Sequence, residues 1–109
     1  MTEPAYESNT PVALANMSGT SLQGSIFCTF ERLVSAFGPP VLFDNHKSDA
    51  EWAVLFGDGT VATIYNYKDG VNYLGPDEGT PTEQITDWHI GGTSREAATR
   101  VMEVLRDVD

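Results

Sequence analysis

The chain has 109 residues, of which 40% are hydrophobic, and this is the size of one small domain. Asp and Glu number 16 against 6 Lys and Arg, giving a formal net charge of −10. Binding along a nucleic-acid backbone needs several clustered cations, so this balance excludes extended nucleic acid as a partner. It is compatible with a small anionic ligand held by one or two arginines and backbone amides. An acidic surface also suits a protein that blocks a basic groove, or one that is merely soluble.

The single cysteine, Cys28, excludes a disulfide within the chain and suits a reducing cytosol. No catalytic His or Asp motif accompanies it, so we expect a small buried side chain and not a nucleophile. The first 19 residues are acidic and polar, so we expect neither a signal peptide nor a membrane span.

Residues 1–18 mix Pro, Ser, Asn, Thr and Glu and predict a polar N-terminal tail before a single α+β domain at 19–109. Within the tail, residues 12–15 (VALA) suit a short edge strand or a segment that covers a partner subunit. In residues 20–27, polar and apolar side chains alternate weakly and the last residues are β-formers, so this segment predicts the first strand of the domain.

Residues 29–40 (TFERLVSAFGPP) predict a short helix with both ends marked. Thr29 is placed to cap the first turn, and Gly38 followed by two prolines ends the helix. Apolar residues at helical spacing form one stripe that we expect to face the core, namely Phe30, Leu33, Val34 and Phe37. Residues 41–50 predict a connection, with a short extended piece at 41–43.

Residues 51–70 (EWAVLFGDGTVATIYNYKDG) predict a β-hairpin, because two β-rich runs flank Asp58-Gly59. A two-residue turn there gives the pairs Trp52–Tyr65, Val54–Thr63 and Phe56–Val61 on one face, and Leu55–Ala62 and Ala53–Ile64 on the other. Both faces are apolar, whereas a sheet with one side in water has only one apolar face. Helices can cover the first face, and the second needs another subunit, the tail or a ligand.

Residues 71–84 are rich in Gly, Pro, Asp and Glu and predict a surface loop, in which Tyr73 is a candidate lid. Residues 85–90 predict a strand and residues 93–109 a second helix, with Thr93 and Glu96 at the spacing of a capping box. Its buried stripe is predicted to hold Ala97, Val101, Val104, Leu105 and Val108. The order β-α-β-β-β-α predicts an α+β fold, an antiparallel sheet of about four strands with two helices on one face.

Four stretches resemble a family of short proteins of tailed bacteriophages and prophages: TSLQG (20–24), LVSAFGPP (33–40), residues 49–75 and TDWHIGGTSREA (86–97). The resemblance runs from residue 20 to about 105. It implies a counter-defence protein that acts in the host bacterial cytoplasm. Within that class the chain is most similar to oligomeric sponges of nucleotide immune signals, including the Thoeris anti-defence type that traps cyclic ADP-ribose isomers. No sponge motif matches residue by residue, so the candidate sites rest on chemistry.

The segment from Trp88 to Arg95 is the first candidate for an anion site. The amides and the positive dipole end of a helix start attract an anion, and Gly91 and Gly92 allow a ligand close to the backbone. Ser94 and Arg95 could donate to a phosphate, with Trp88 stacking on a base and His89 beside it. The alternative explains the same residues: the glycines turn a strand into a capped helix.

Two further groups belong to the predicted ligand site. Tyr65 and Tyr67 share a strand face and precede Lys68, so they could stack on a base while the lysine pairs with a phosphate; the alternative is a strand of core and rim residues. Residues Thr20, Ser21 and Gln23 could hydrogen-bond a nucleotide edge, or could belong to a polar edge strand.

Metal binding and catalysis are not expected. The potential ligands Asp44, His46 and Asp49, and the pair Asp87 and His89, lack a recognised zinc spacing. A Walker-type phosphate loop and a serine-hydrolase elbow are both missing from the sequence. His89 beside Asp87 is a candidate base, but a hydrogen-bonded histidine at a strand end explains it better.

We therefore predict a non-enzymatic homo-oligomer, without cofactor, metal or membrane partner, that sequesters a small anionic nucleotide between subunits. One alternative is an acidic protein that inhibits a host defence nuclease, with charge clustered through Glu3, Glu7, Asp77, Glu78 and Glu83. Another is a small hydrolase that destroys a nucleotide signal.

Overall fold

A computed structural model of the protein describes residues 6–16, 19–42, 49–67 and 69–107. Its strands are β1 (Tyr6–Ser8), β2 (Ser21–Phe27), β3 (Val41–Leu42), β4 (Ala50–Phe56), β5 (Val61–Tyr65) and β6 (Asp87–Gly92). Its helices are α1 (Pro11–Ala15), α2 (Phe30–Phe37), α3 (Val71–Leu74) and α4 (Glu96–Asp107), with a 3-10 turn at Thr82–Gln84. The predictions at Asp44, His46, Lys68 and Val108 lie outside the described residues.

The six strands form one antiparallel sheet in the order β1-β4-β5-β6-β2, and β3 pairs with β4 on the same side as β1. Helices α2 and α4 lie together on one face of this sheet and share a core with it. The α+β class, the antiparallel sheet and the two helices on one face are thus confirmed. The sheet has more strands than the predicted four because β1 and β3 join the edge of β4.

Helix α2 has the caps and the buried stripe that its sequence predicts. The Thr29 hydroxyl accepts a hydrogen bond from the backbone N–H of Arg32 at 3.1 Å. Gly38 ends the helix with a φ of 80°, a conformation that a side chain disfavours. Leu33 and Phe37 are buried against the sheet, and Phe30 and Val34 pack at the margin of the core.

Strands β4, β5 and β6 supply the centre of the core. Every second residue of β4 from Ala50 to Phe56 faces the helices, and Trp52 is 0% exposed. Ile64, Trp88 and Ile90 join it from β5 and β6. Among the predicted residues of α4, Ala97, Val101 and Leu105 are buried and Val104 packs against the core.

The hairpin register differs by one residue from the predicted one. Trp52 pairs with Ile64 and Val54 with Ala62, where we predicted Tyr65 and Thr63. The backbone of Phe56 bonds to Thr60, and Gly59 has a φ of 91°, so the turn is a three-residue loop whose last residue is left-handed. This slip exchanges the faces of β5: Ile64 enters the core, and Thr63 and Tyr65 lie on the opposite face.

Residues 6–16, which fall in the predicted tail, are part of the folded structure. Asn9 has a φ of 58°, and its backbone N–H and side-chain oxygen both bond to the backbone of Ala53, each at 2.8 Å. This turn leads into α1, which packs on β4. Ala53 and Ala13 are each 1% exposed, although both lie outside the core beneath α2 and α4. The chain itself therefore covers part of the second apolar face.

The segment predicted as a long loop contains short ordered elements. Helix α3 and the 3-10 turn occupy residues 71–74 and 82–84, and Ile85 after them is 2% exposed within the core.

Burial raises the pKa of the Cys28 thiol, and the nearby Arg32 charge partly offsets that shift. No helix in the described ranges has the length and apolar character needed to cross a membrane.

Candidate functional site

Trp88 cannot stack on a ligand, because it is a core residue. Its side chain is 0% exposed, and its ring centroid lies 5.4 Å from that of Trp52 and 6.3 Å from that of Phe30. Its indole N–H donates to the backbone oxygen of Cys28 at 3.0 Å. The prediction that Trp88 supports a base is therefore wrong: β6 turns this ring towards the helices and His89 towards the other face.

We predicted that Gly91 and Gly92 lie between the strand and the helix, but this prediction is wrong. They are the last residues of β6 and pair with Thr63 and Ala62 on one side and with Leu22 and Ser21 on the other. A Cβ on Gly92 would lie 2.3 Å from the Ala97 Cβ and 2.8 Å from the Val61 oxygen. A Cβ on Gly91 would lie 2.5 Å from the Thr63 hydroxyl oxygen. Packing within the protein therefore requires both glycines.

Helix α4 begins at Glu96, so Thr93 is not the residue that immediately precedes it. Ser94 and Arg95 are exposed, and their backbone oxygens accept from the N–H groups of Ala97 and Ala98. The acidic Glu96 already occupies the first turn, where the helix dipole favours a negative charge. With both glycines held in a strand, the predicted phosphate site at Gly91–Arg95 lacks its backbone part.

Replacing Gly92 with alanine tests this packing role. We expect the free energy of unfolding to fall by about 1–3 kcal/mol, because the new methyl group overlaps Ala97 and the Val61 oxygen. Gly24→Ala is the matched control, since its Cβ would meet Ala98 of the same helix at an ordinary 3.5 Å. Urea denaturation measures both variants. Equal stability of the two alanine variants would contradict the close approach of α4 to β6.

The structure brings three predicted residues together on the sheet face opposite α2 and α4, which we call the open face. The ring centroids of Tyr65 and His89 are 5.6 Å apart, those of Tyr67 and His89 also 5.6 Å, and those of the two tyrosines 6.5 Å. Tyr67 is 41% exposed, and the other two are half-buried. We call these three residues the aromatic cluster. Aromatic surfaces of this kind stack on planar rings.

Tyr65 and His89 of the aromatic cluster also belong to a row of four polar side chains that crosses the sheet. Glu51 pairs with Tyr65, Tyr65 with His89, and His89 with Ser25, so all four lie side by side on the open face. At about 4.8 Å per strand, this row is about 14 Å long. Burial raises the pKa of the Tyr65 hydroxyl, and the charges of Glu51 and Tyr67 add to that shift. Sequence reasoning missed Glu51, because the predicted register places it opposite Asn66.

Thr20, Ser21 and Gln23, three other predicted ligand residues, lie apart from the aromatic cluster. Ser21 pairs with Gly92 at the far end of β2, and the side-chain amide of Gln23 donates to the Ser21 hydroxyl and to the Gly92 oxygen, each at 3.2 Å. Gln23 marks a bulge in this edge strand, and Thr20 precedes it. Thr20, Ser21 and Gln23 thus form a polar strand edge, and Ser94 and Arg95 are beyond the same end of β6.

Two arginines line a hollow at the opposite end of β2. The hollow has a volume of about 230 Å³, and Arg32 and Arg106 stand beside Phe27 and Met102 in its lining. Arg32 also donates to the backbone oxygen of Leu105, which fixes its guanidinium at this place. Phe27 is 82% exposed and pairs with Asp87, so it borders the open face as well. Among the described residues, these two guanidinium groups suit a phosphate best, because both line the same hollow.

A second hollow, of about 390 Å³, adjoins the hairpin turn and is a poorer match for an anion. Tyr6, Glu7, Leu55 and Gly59 contribute to its lining, and Glu7 is its charged side chain. Across the described residues, no three histidine, cysteine or carboxylate side chains lie together so that they could hold a metal ion. The carboxylate of Asp49, a potential metal ligand by residue type, accepts hydrogen bonds from Asn66 and Asn72.

The chain matches no family model. A search of curated proteins gave no significant match either. What bears on function is therefore the open face and the charges around it.

Proposed function

We propose that this protein binds and sequesters a small nucleotide without catalysis, and that the aromatic cluster holds the base. The observation that carries the proposal is the meeting of Tyr65, Tyr67 and His89 on the open face, with the Tyr67 side chain 41% exposed. Stacking on an aromatic side chain contributes about 1–3 kcal/mol per base and tolerates any base. A protein with few cations can hold a nucleotide in this way, since the base supplies most of the contact.

The phosphate is proposed to lie beyond the open face, next to Arg32 and Arg106. Glu51 and Asp87 stand beside the aromatic cluster and repel a phosphate there. Strand β2, which carries Phe27, is two strand spacings from β5, which is about 10 Å. A nucleotide whose base lies on Tyr67 can span that distance and reach the arginines past Phe27.

Self-association is part of the proposal. A flat sheet face encloses a ligand from one side only, whereas small-ligand sites bury about 70–90% of the ligand surface. Leu22 and Phe27 are 60% and 82% exposed on the open face, and they suit contact with a second copy of the chain. We propose a homo-oligomer in which two open faces enclose the ligand between them.

The ligand panel follows from the resemblance to phage counter-defence proteins. Purified protein is incubated with cyclic ADP-ribose isomers, cyclic dinucleotides and mononucleotides, freed of unbound ligand and then heated. We expect release of intact ligand only on denaturation, in a fixed ratio to protein. Turnover at substoichiometric protein would favour the hydrolase, and retention of no nucleotide would overturn the proposal. Light scattering with and without ligand measures the oligomer.

Replacing Tyr67 with alanine is expected to raise the Kd of the retained nucleotide roughly 5- to 150-fold, the equivalent of losing one stacked base. Tyr73→Ala is the matched control, because Tyr73 is 38% exposed, close to the 41% of Tyr67, and lies in α3, outside the strands that carry Tyr65 and His89. Isothermal titration calorimetry measures both variants. An equal loss of affinity in both would place the ligand elsewhere.

A further inference from the structure

The carboxylate of Glu51 accepts no hydrogen bond from the residues that the structure describes. Within the part of the chain that the structure describes, four acidic side chains are buried or half-buried: Asp49, Glu51, Asp69 and Glu103. Asp49 accepts hydrogen bonds from Asn66 and Asn72. Asp69 accepts one from Asn66, and Glu103 accepts one from Arg100. Glu51 has no such bond with any described residue, and its half-buried carboxylate reaches solvent, since no fully buried side-chain oxygen of the described residues lacks a partner. Partial burial raises the pKa of this carboxyl.

This arrangement leaves an acceptor that a ligand can satisfy. Removing a carboxylate from water without supplying a donor is unfavourable, and an N–H group from a ligand offsets that cost. Among the described residues, the nearest neighbour of Glu51 on this face is Tyr65, its partner across the strands, whose ring contacts His89 and Tyr67. A planar ring on the aromatic cluster therefore has its edge next to an unpaired carboxylate.

The chemistry of a carboxylate specifies the edge that it binds. Its two oxygens accept two parallel N–H bonds, as they do from an arginine fork. Guanine presents two adjacent donors, the ring N1–H and the 2-amino group. Adenine presents one amino group beside a ring nitrogen that is an acceptor and repels a carboxylate. Uracil presents one N–H between two carbonyl oxygens.

We propose that Glu51 makes the nucleotide site selective for a guanine-type base, by accepting hydrogen bonds from its N1–H and 2-amino groups. The inference rests on the proposed function, because it assumes that the aromatic cluster holds a base. It assigns a separate role to each part of the row: the rings supply sequence-tolerant stacking, and Glu51 supplies the choice of base.

Three mononucleotides of equal charge test the inference: 5′-GMP, 5′-IMP and 5′-AMP. IMP differs from GMP only in lacking the 2-amino group. We expect the wild-type protein to bind GMP about tenfold or more tightly than IMP, and IMP more tightly than AMP, because each lost donor leaves a charged acceptor unpaired. Calorimetry on the full chain gives all three affinities.

Glu51→Gln is expected to remove the preference for GMP while the three mononucleotides still bind. This variant removes a half-buried charge, so its melting temperature should not fall, and a thermal melt checks that. Glu83→Gln, an exposed change of the same kind in the 3-10 turn, should keep the preference.

Equal affinities for the three mononucleotides, or a preference that survives Glu51→Gln, would overturn the inference and leave the proposed function intact. Retention of cyclic adenine nucleotides without binding of GMP would have the same effect. Binding of no nucleotide in the whole panel would overturn the proposed function and the inference with it.

Discussion

Replacing Trp88 with alanine is expected to lower the free energy of unfolding by about 3–5 kcal/mol. The substitution removes a large side chain that is 0% exposed, together with its contacts to Trp52 and Phe30. It also leaves the Cys28 backbone oxygen without its indole donor. Helices α2 and α4 lie over this part of the sheet and cannot close around such a cavity without losing their own contacts. Urea denaturation followed by far-ultraviolet circular dichroism measures the loss.

Phe27→Ala provides the comparison, because Phe27 is an aromatic residue of the same sheet that is 82% exposed. We expect its effect on stability to stay within about 0.5 kcal/mol. Trp88→Phe keeps an aromatic ring in the core, so it should fold and bind nucleotide as the wild type does. A stable Trp88→Ala protein with lost nucleotide binding would restore the role that the sequence assigned to this residue.

The sequence predicted most accurately those features that depend on interactions between residues close together in the chain. Thr29, the apolar stripe of α2 and Gly38 define that helix, since each acts through residues within one or two turns. The pairing of β4 with β5 also followed from Asp58-Gly59. Thr60 and Arg100 hydrogen-bond the Asp58 carboxylate and lower its pKa to about 2, so this turn is fixed in place.

The hairpin register could not be derived from the pattern of the strands. Register is specified when one face is apolar and the other polar, and here both faces are apolar. Two-residue and three-residue turns fit the letters around Asp58-Gly59 equally well. The register determines which residues form the site, because Glu51 pairs with Tyr65 only in the observed register.

The remainder of the site depends on contacts between distant parts of the chain. That Tyr65 and Tyr67 share a face followed from the two-residue period of a strand. Their contact with His89 depends on the pairing of β5 with β6, which no local pattern specifies. Gly91 and Gly92 resembled a phosphate loop in sequence, but the approach of α4 and Thr63 explains them as packing residues. Composition alone does not distinguish these two uses of glycine.

Asn66, between the two tyrosines, is turned away from the open face into a buried polar network. Its side-chain oxygen accepts from the backbone N–H groups of Asp49 and Ala50, at 2.8 and 3.1 Å. Its amide donates to the carboxylates of Asp49 and Asp69, at 2.9 and 3.1 Å. Asn66 is 0% exposed, and three of the four bonds are buried, while the bond to Asp69 is partly buried. This network ties the end of β5 to the start of β4 and supports the strands that carry Tyr65 and Glu51.

Asn66→Asp is expected to destabilise the protein by about 3–5 kcal/mol at pH 7. Aspartate has nearly the same shape as asparagine, so packing is unchanged. The substitution replaces a donor with a third carboxylate oxygen between Asp49 and Asp69, which leaves a buried charge repelled by its neighbours. Denaturation curves at pH 7 measure the effect. Gln84→Glu, an amide-to-carboxylate change at an exposed position in the 3-10 turn, should alter stability by no more than about 0.5 kcal/mol.

The pH dependence of Asn66→Asp separates charge repulsion from a general loss of fit. Burial and two neighbouring carboxylates raise the folded-state pKa of the new aspartate above its unfolded value. The folded variant then binds more protons than the unfolded chain, so its stability relative to wild type rises as the pH falls towards the unfolded pKa. We expect the difference between variant and wild type to be smaller at pH 5 than at pH 7. A difference that is constant across this range would contradict the electrostatic origin of the effect.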